Sequence, residues 1–336
     1  MRFFLPLAGL CLTASAYAAA PVAPSPLPAN YQQALAAVKE DPPPPELAAN
    51  AHFFISDERG HWVFEPAVRN LGGVVLGVGT DPNYTMSGWM RPDLVLIVDF
   101  DEVVIDVHRL YKIAFLHAAN SDALVHLWSG KGEAEFVKFI NADTPQAPMR
   151  AQLMRTYRMA RGQIHDKLLW IRSTYKKQNV ATFMTDAAQY DHIVQLLKNN
   201  RIWAWRGDLT ANNTMAGIAT ALKAVNRKLQ VFYITNAEKY FTYVQGRTRK
   251  NFAELPYEDN GVILRTQGHP EKADDTVDGM YFYFTQKSSD FVAWLTEAKV
   301  PRVWQITWKR QPTKVNGLFT LPGPPPKVVK VKGKSK

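Results

Sequence analysis

Between residues 73 and 308 the apolar positions follow two alternating rhythms. Short runs in which nearly every residue is apolar, such as 73–78 and Leu94-Val95-Leu96-Ile97-Val98 closing on Asp99, have the length and β-branched content of strands covered on both faces. Elsewhere apolar residues recur every three or four positions. Val103, Val107, Leu110, Ala114 and Ala118 mark one face of a helix that Asp101 is placed to cap. The same alternation predicts strands at 201–205, 230–234, 262–266, 280–285 and 302–308, with helices over 214–225 and from a Ser289 cap to 299. Residues 120–200 carry helical periods only, chiefly 150–177 and 186–199, and are expected to form a helical insertion. Strands joined by crossover helices define an α/β chain, Rossmann-like, with a largely parallel, doubly wound sheet.

The two ends of the chain are composed differently. Arg2, the apolar stretch 3–14 and Ala16-Tyr17-Ala18 have the order of a bacterial export signal cleaved after residue 18, which places the mature protein in the periplasm or outside the cell. The only cysteine, Cys11, lies in that segment and follows Leu10, where a lipobox needs a small residue. The mature chain would then hold no thiol and form no disulfide. Residues 19–47, with Pro21, Pro24, Pro26, Pro28 and Pro42-Pro43-Pro44-Pro45, read as a proline-rich linker with a short helix over 31–39. A second proline run, 322–326, leads into a lysine-rich tail ending at 336, so the folded domain is expected over 48–321.

Charge follows the same division. Of the formal +10, six positive charges belong to Arg2, Lys327, Lys330, Lys332, Lys334 and Lys336, leaving +4 on the rest. A basic tail on a nearly balanced body argues against a nucleic-acid groove and leaves a small molecule or an envelope component as the expected partner. Beyond the leader no stretch stays apolar for the ~20 residues that a membrane-spanning helix needs.

Candidate chemistry gathers where the strands end. Gly77-Val78-Gly79-Thr80-Asp81-Pro82-Asn83-Tyr84 follows the first buried strand, and Asp99 closes the next one about twenty residues later, the spacing that sets a glycine turn beside a ribose-binding acid. Pro82 stands where phosphate-binding amides would be needed, which favours a ligand with a ribose and no phosphate, such as S-adenosylmethionine. A tight turn with no ligand is the competing reading. Asp208 and Asn236 end two later strands, and a doubly wound sheet brings both to the same edge; each could equally be a helix cap. Zinc-binding H-E-x-x-H, nucleophile-elbow and P-loop patterns are absent, no metal site is expected, and the helical histidines 108, 117, 126, 165 and 192 are expected at the surface or partly packed.

Phe54-Ile55-Ser56-Asp57-Glu58, Gly72 to Gly79, Asn83-Tyr84, Arg91-Pro92, Ile97-Val98-Asp99 and Tyr111-Lys112, with Thr235-Asn236-Ala237-Glu238-Lys239-Tyr240 farther on, resemble an uncharacterised bacterial family whose members look like class I S-adenosylmethionine-dependent methyltransferases. The resemblance spans roughly residues 52–270. It implies a Rossmann-like fold and a cofactor pocket at Gly77, Gly79, Asp99 and Asp208; Thr80, Asn83 and Asp101 complete the expected cofactor site, and in the enzyme reading Asn236 and Glu238 position an acceptor. Asp101 and Glu102 stand where relatives tend to carry arginines, which alters the charge of that pocket. Two functions stay open: a methyltransferase-like enzyme, and an envelope-located binding or interaction module that has lost its cofactor.

Overall fold

Strands made almost wholly of Val, Ile and Leu need cover on both faces, and the computed structural model, which describes residues 24–268 and 276–325, provides it. In chain order the elements are α1 (Ala29–Ala36), α2 (Glu65–Val68), β1 (Val74–Val78), α3 (Pro82–Met90), β2 (Leu94–Asp99), α4 (Glu102–His117), α5 (Ser121–Trp128), α6 (Glu133–Asp143), α7 (Ala147–Lys177), α8 (Ala187–Lys198), β3 (Ile202–Arg206), α9 (Thr214–Ala224) and β4 (Leu229–Thr235). There follow α10 (Thr248–Ala253), β5 (Tyr257–Gly268), β6 (Tyr281–Lys287), α11 (Ser288–Thr296), α12 (Trp304–Thr307), β7 (Gln311–Pro312) and β8 (Leu318–Leu321). The strands form one eight-stranded sheet in the order β3-β2-β1-β4-β5-β6-β8-β7. β3 through β5 in that order are mutually parallel, and β6 runs antiparallel to β5. The chain is therefore an α/β protein with a mostly parallel, Rossmann-like sheet.

Alternation along β1 divides the core. Val74, Leu76 and Val78 point to the face covered by α9, α10 and α11, while Val75 points to the face covered by α3, α4 and the helices that follow. α4 is held at its start by Asp101, whose Oδ1 accepts from the Val103 amide at 2.9 Å, as the sequence predicts. Residues 120–200 do not stand apart as a lobe. The 31-residue α7 buries Leu153, Tyr157, Ala160, Ile164, Leu168, Ile171 and Tyr175 at helical spacing against the same core that holds Val107, Leu110 and Tyr111 of α4.

Several expectations are corrected. Residues 302–308 form a turn and the short α12, because Val303 and Ile306 sit three apart and face the core together, while Trp304 and Trp308 face outward. The sheet edge is built instead by β7 and β8, two and four residues long. Nor is the linker segment a free spacer from residue 24 onward: Leu27, Leu35 and Val38 are buried in the second core, and α1 packs on α9. The helix after β6 begins at Ser288, with Lys287 rather than Ser289 at its cap position, and ends at Thr296. Residues 1–18, expected to be an export signal, and the lysine-rich tail from 327 lie outside the described residues. Among the described residues no helix is long and apolar enough to cross a membrane.

Candidate functional site

Parallel strands expose their carboxyl ends along one edge, and here the ends of β1, β2, β3 and β4 together with residues 44–58 enclose a cleft of about 420 Å³. That volume lies in the range of small-molecule sites. Gly79, Thr80, Asp99, Asp101, Asp208 and Asn236 form part of its wall; Gly77, Asn83 and Glu238 do not.

The β1 turn explains the first two exceptions. Asn83 is buried, and its Nδ2 donates to the carbonyls of Val78, Gly79 and Thr80 at 3.1–3.2 Å, so its amide holds the turn rather than a ligand. Gly77 leaves the space in which that amide lies. Gly79 adopts φ +80°, where a side chain would be strained, and brings bare backbone to the cleft. Its carbonyl accepts from His108 Nε2 at 2.9 Å, and His108 Nδ1 accepts from the Tyr84 hydroxyl at 2.9 Å. This assignment follows from a neutral ring, since burial lowers the His108 pKa to about 4. His108 is thus a buried strut. Thr80, also buried, donates weakly to Asp81, whose carboxylate accepts from the Ser56 amide at 2.8 Å and faces the buried ammonium of Lys167 at 3.6 Å.

Asp99 and Asp101 divide their duties. Asp101 caps α4 with one oxygen and meets His52 Nδ1 at 2.7 Å with the other, so it fastens segment 44–58 over the cleft. Asp99 is 9% exposed, and its Oδ1 accepts from the Asp101 amide at 3.0 Å. Burial pushes its carboxyl up to about 7; backbone amides pull the other way and the neighbouring Asp101 charge adds to the rise. One strand over, Asp208 lies on the cleft wall with its Oδ1 bonded to the Thr210 amide at 2.7 Å. The loop carrying it is organised by a residue that sequence reasoning missed. Asp41, 1% exposed, accepts from the amides of Asp208, Asn213 and Thr214 at 2.9–3.3 Å and so caps α9 from a distant part of the chain.

At the β4 end the two residues expected to serve an acceptor separate. Asn236 faces the cleft, its Nδ2 donating to Asp57 Oδ1 and to the Tyr281 hydroxyl, both at 3.1 Å. Glu238, two residues on in the 3₁₀ turn Ala237–Lys239, turns into the core, where it accepts from the Tyr243 hydroxyl and faces the fully buried Arg265 at 3.4 Å. Glu238 is therefore a structural carboxyl. Its place on the cleft wall is taken by Asp57, Glu58 and Tyr233. The Tyr233 hydroxyl lies 2.7 Å from Nε2 of His61, a ring that burial holds well below its ordinary pKa and hence neutral. Among the described residues no cluster of His, Cys, Asp or Glu is arranged to hold a metal ion.

Fold and site define a class: an α/β protein with a mostly parallel sheet covered by helices on both faces and a ligand-sized cleft where the strand order reverses between β1 and β4. Residues 53–321 match the family described as Domain of unknown function (DUF7790), and the chain belongs to that family. No curated protein matches the chain.

Proposed function

We propose that the cleft binds an adenosine-type ligand, with S-adenosylmethionine the first candidate, and that the protein is methyltransferase-like in its chemistry. The observation that carries this reading is Asp99, a buried carboxyl that closes β2 on the cleft wall beside the backbone of Gly79. Its carboxylate suits the paired hydroxyls of a ribose, and Asp208, just past the end of β3, suits the exocyclic amine of an adenine. Phe53, Phe100 and Phe241 offer apolar surface for the base. The start of α3 offers little to a phosphate, since Pro82 opens it and the Asn83 and Tyr84 amides donate to the Thr80 and Asp81 carbonyls. S-adenosylmethionine, when bound, brings an electrophilic methyl group; the chain's own contribution is to hold the ribose at Asp99 and to present Asn236 at the β4 end.

The leader-like residues 1–18 favour a second reading. An exported protein meets little S-adenosylmethionine, and the same cleft would then serve as a binding module for another ribose-bearing ligand in the envelope. Calorimetric titration with S-adenosylmethionine, S-adenosylhomocysteine and adenosine tests both. Micromolar binding of the first two, lost in Asp99→Ala with the fold retained, supports the enzyme reading. Binding of adenosine alone supports the module, and no binding of any at millimolar concentration refutes an adenosine site.

A further inference from the structure

Glu58 is a buried carboxyl that ribose binding leaves without a task. It belongs to the irregular segment before the His61–Phe64 turn, lies on the cleft wall with Tyr233, and is 2% exposed. Both of its oxygens are held by neutral donors, the Ser56 hydroxyl on Oε2 and the Thr266 hydroxyl on Oε1 at 2.6 Å. Other buried carboxyls have stronger company: Asp106 meets Arg109, Asp81 meets Lys167, Glu238 meets Arg265, and Asp41 caps α9. The sole basic side chain within ion-pair distance of Glu58 among the described residues is the neutral ring of His61, at 3.8 Å.

The titratable groups around it are few. Asp57 and His61 share its segment, and Tyr233 reaches it from β4. Tyr281 and Tyr283 approach from β6, and Lys167 and Tyr175 from α7. Lys167 is the one cation of this set, and it is engaged by Asp81 and by the Ser56 carbonyl at 2.8 Å. Burial raises the Glu58 carboxyl above the usual carboxylate range and Asp57 adds to the rise, while the two hydroxyls and Lys167 oppose it. Positive charge arriving beside a carboxyl raised in this way lowers its pKa again, which couples binding to the release of protons.

Strand order decides which part of a ligand arrives. With its base at Asp208 just past β3 and its ribose at Asp99 on β2, an adenosine derivative runs its 5′ substituent across β1 towards β4, where Asn236, Tyr233 and Glu58 form the wall. We propose that Glu58 is the proton-exchanging group of this end of the cleft, and that this end takes a 5′ substituent carrying positive charge or a transferable proton. The inference rests on the adenosine reading above.

S-adenosylmethionine and S-adenosylhomocysteine provide the test, because they share base, ribose and amino-acid end and differ by the methyl group that makes sulfur positive. The full chain is titrated with each at pH 7, in phosphate and in Tris, whose different ionisation heats report the protons exchanged on binding. The sulfonium ligand releases more protons than the thioether, and Glu58→Gln, which keeps the size of the side chain, erases that difference and weakens the sulfonium ligand more than the thioether. Proton changes at Asp99 are common to both ligands and cancel. Equal release from the two in the wild-type protein overturns the proposal while leaving the adenosine site standing, as does a difference that persists in Glu58→Gln. If that variant does not fold, the wild-type comparison decides alone. Failure of both ligands to bind removes the adenosine reading and the proposal with it.

Discussion

Gly77 and Asn83 occupy one space: a Cβ on Gly77 would lie 1.8 Å from Asn83 Oδ1. The glycine is there because the Asn83 amide must reach three carbonyls of the β1 turn, and that turn sets the backbone of Gly79 against the cleft. Gly77→Ala is expected to cost ~1–3 kcal/mol by overpacking. Much of that cost should vanish in an Asn83→Ala background, where the amide is gone. A double-mutant cycle by urea unfolding checks this, and an equal cost of Gly77→Ala in both backgrounds would show that the two residues do not share the site.

The Glu238–Arg265 pair separates stability from ligand binding. Both side chains are buried, and Arg265 also reaches Gln286 at 3.1 Å and lies over the Phe291 ring. Glu238→Ala strands a guanidinium in the core and should cost ~3–5 kcal/mol, while Glu238→Leu combined with Arg265→Met should recover most of that loss. Adenosine-ligand affinity should hold in the double variant. A large loss of affinity there would return Glu238 to the site.

How far the sequence carries depends on range. β1, β2 and β4 were legible because both faces of each strand are covered, so each carries an unbroken apolar run of four or more residues about its middle, apart from Gly77 in β1. Gly79, Asp99, Asp208 and Asn236 were legible because strand ends are local features that the sheet order then brings together. No local feature pointed to a site role for the rest of the wall. Tyr233 meets His61 across 172 positions and Thr266 meets Glu58 across 208, and the segment that carries Glu58 has neither helical nor strand period. Glu238 misled because it is close to Asn236 in sequence, whereas a 3₁₀ turn points the two side chains to opposite sides. Three scattered apolar anchors, Leu27, Leu35 and Val38, were masked by proline-rich surroundings.

Asp41 is expected to matter for both fold and ligand. Removing its carboxylate leaves two amides at the start of α9 and the Asp208 amide in the loop before it without their acceptor, and Asp41→Ala should cost ~2–4 kcal/mol. Because one of those amides belongs to Asp208, the variant should also weaken adenosine binding, although Asp41 itself is not on the cleft wall. Urea unfolding and calorimetric titration of the same preparation check the two effects together. A stability loss with unchanged affinity would mean that Asp208 does not hold the base.

Asp99 ties both properties to pH, and the sign is fixed by its raised pKa. Its carboxyl stands at about 7 in the folded protein against an ordinary 3.8, so the stability it contributes is complete below about pH 4 and is lost as pH rises through about 7. Over that interval the loss approaches ~1.4 kcal/mol per pH unit. Asp99→Asn keeps an oxygen for the Asp101 amide and removes the buried charge, so its stability relative to wild type should climb from pH 4 to pH 7 and level off above. Ligand affinity should move the opposite way. Ribose hydroxyls need the ionised acceptor, so the wild-type protein should bind an adenosine ligand more tightly at pH 8 than at pH 6, while Asp99→Asn should bind weakly with no such trend. Chemical denaturation and titration across this range measure the two slopes. Parallel behaviour of the variant and the wild type would mean that the Asp99 carboxyl is neither strained by burial nor in contact with the ligand.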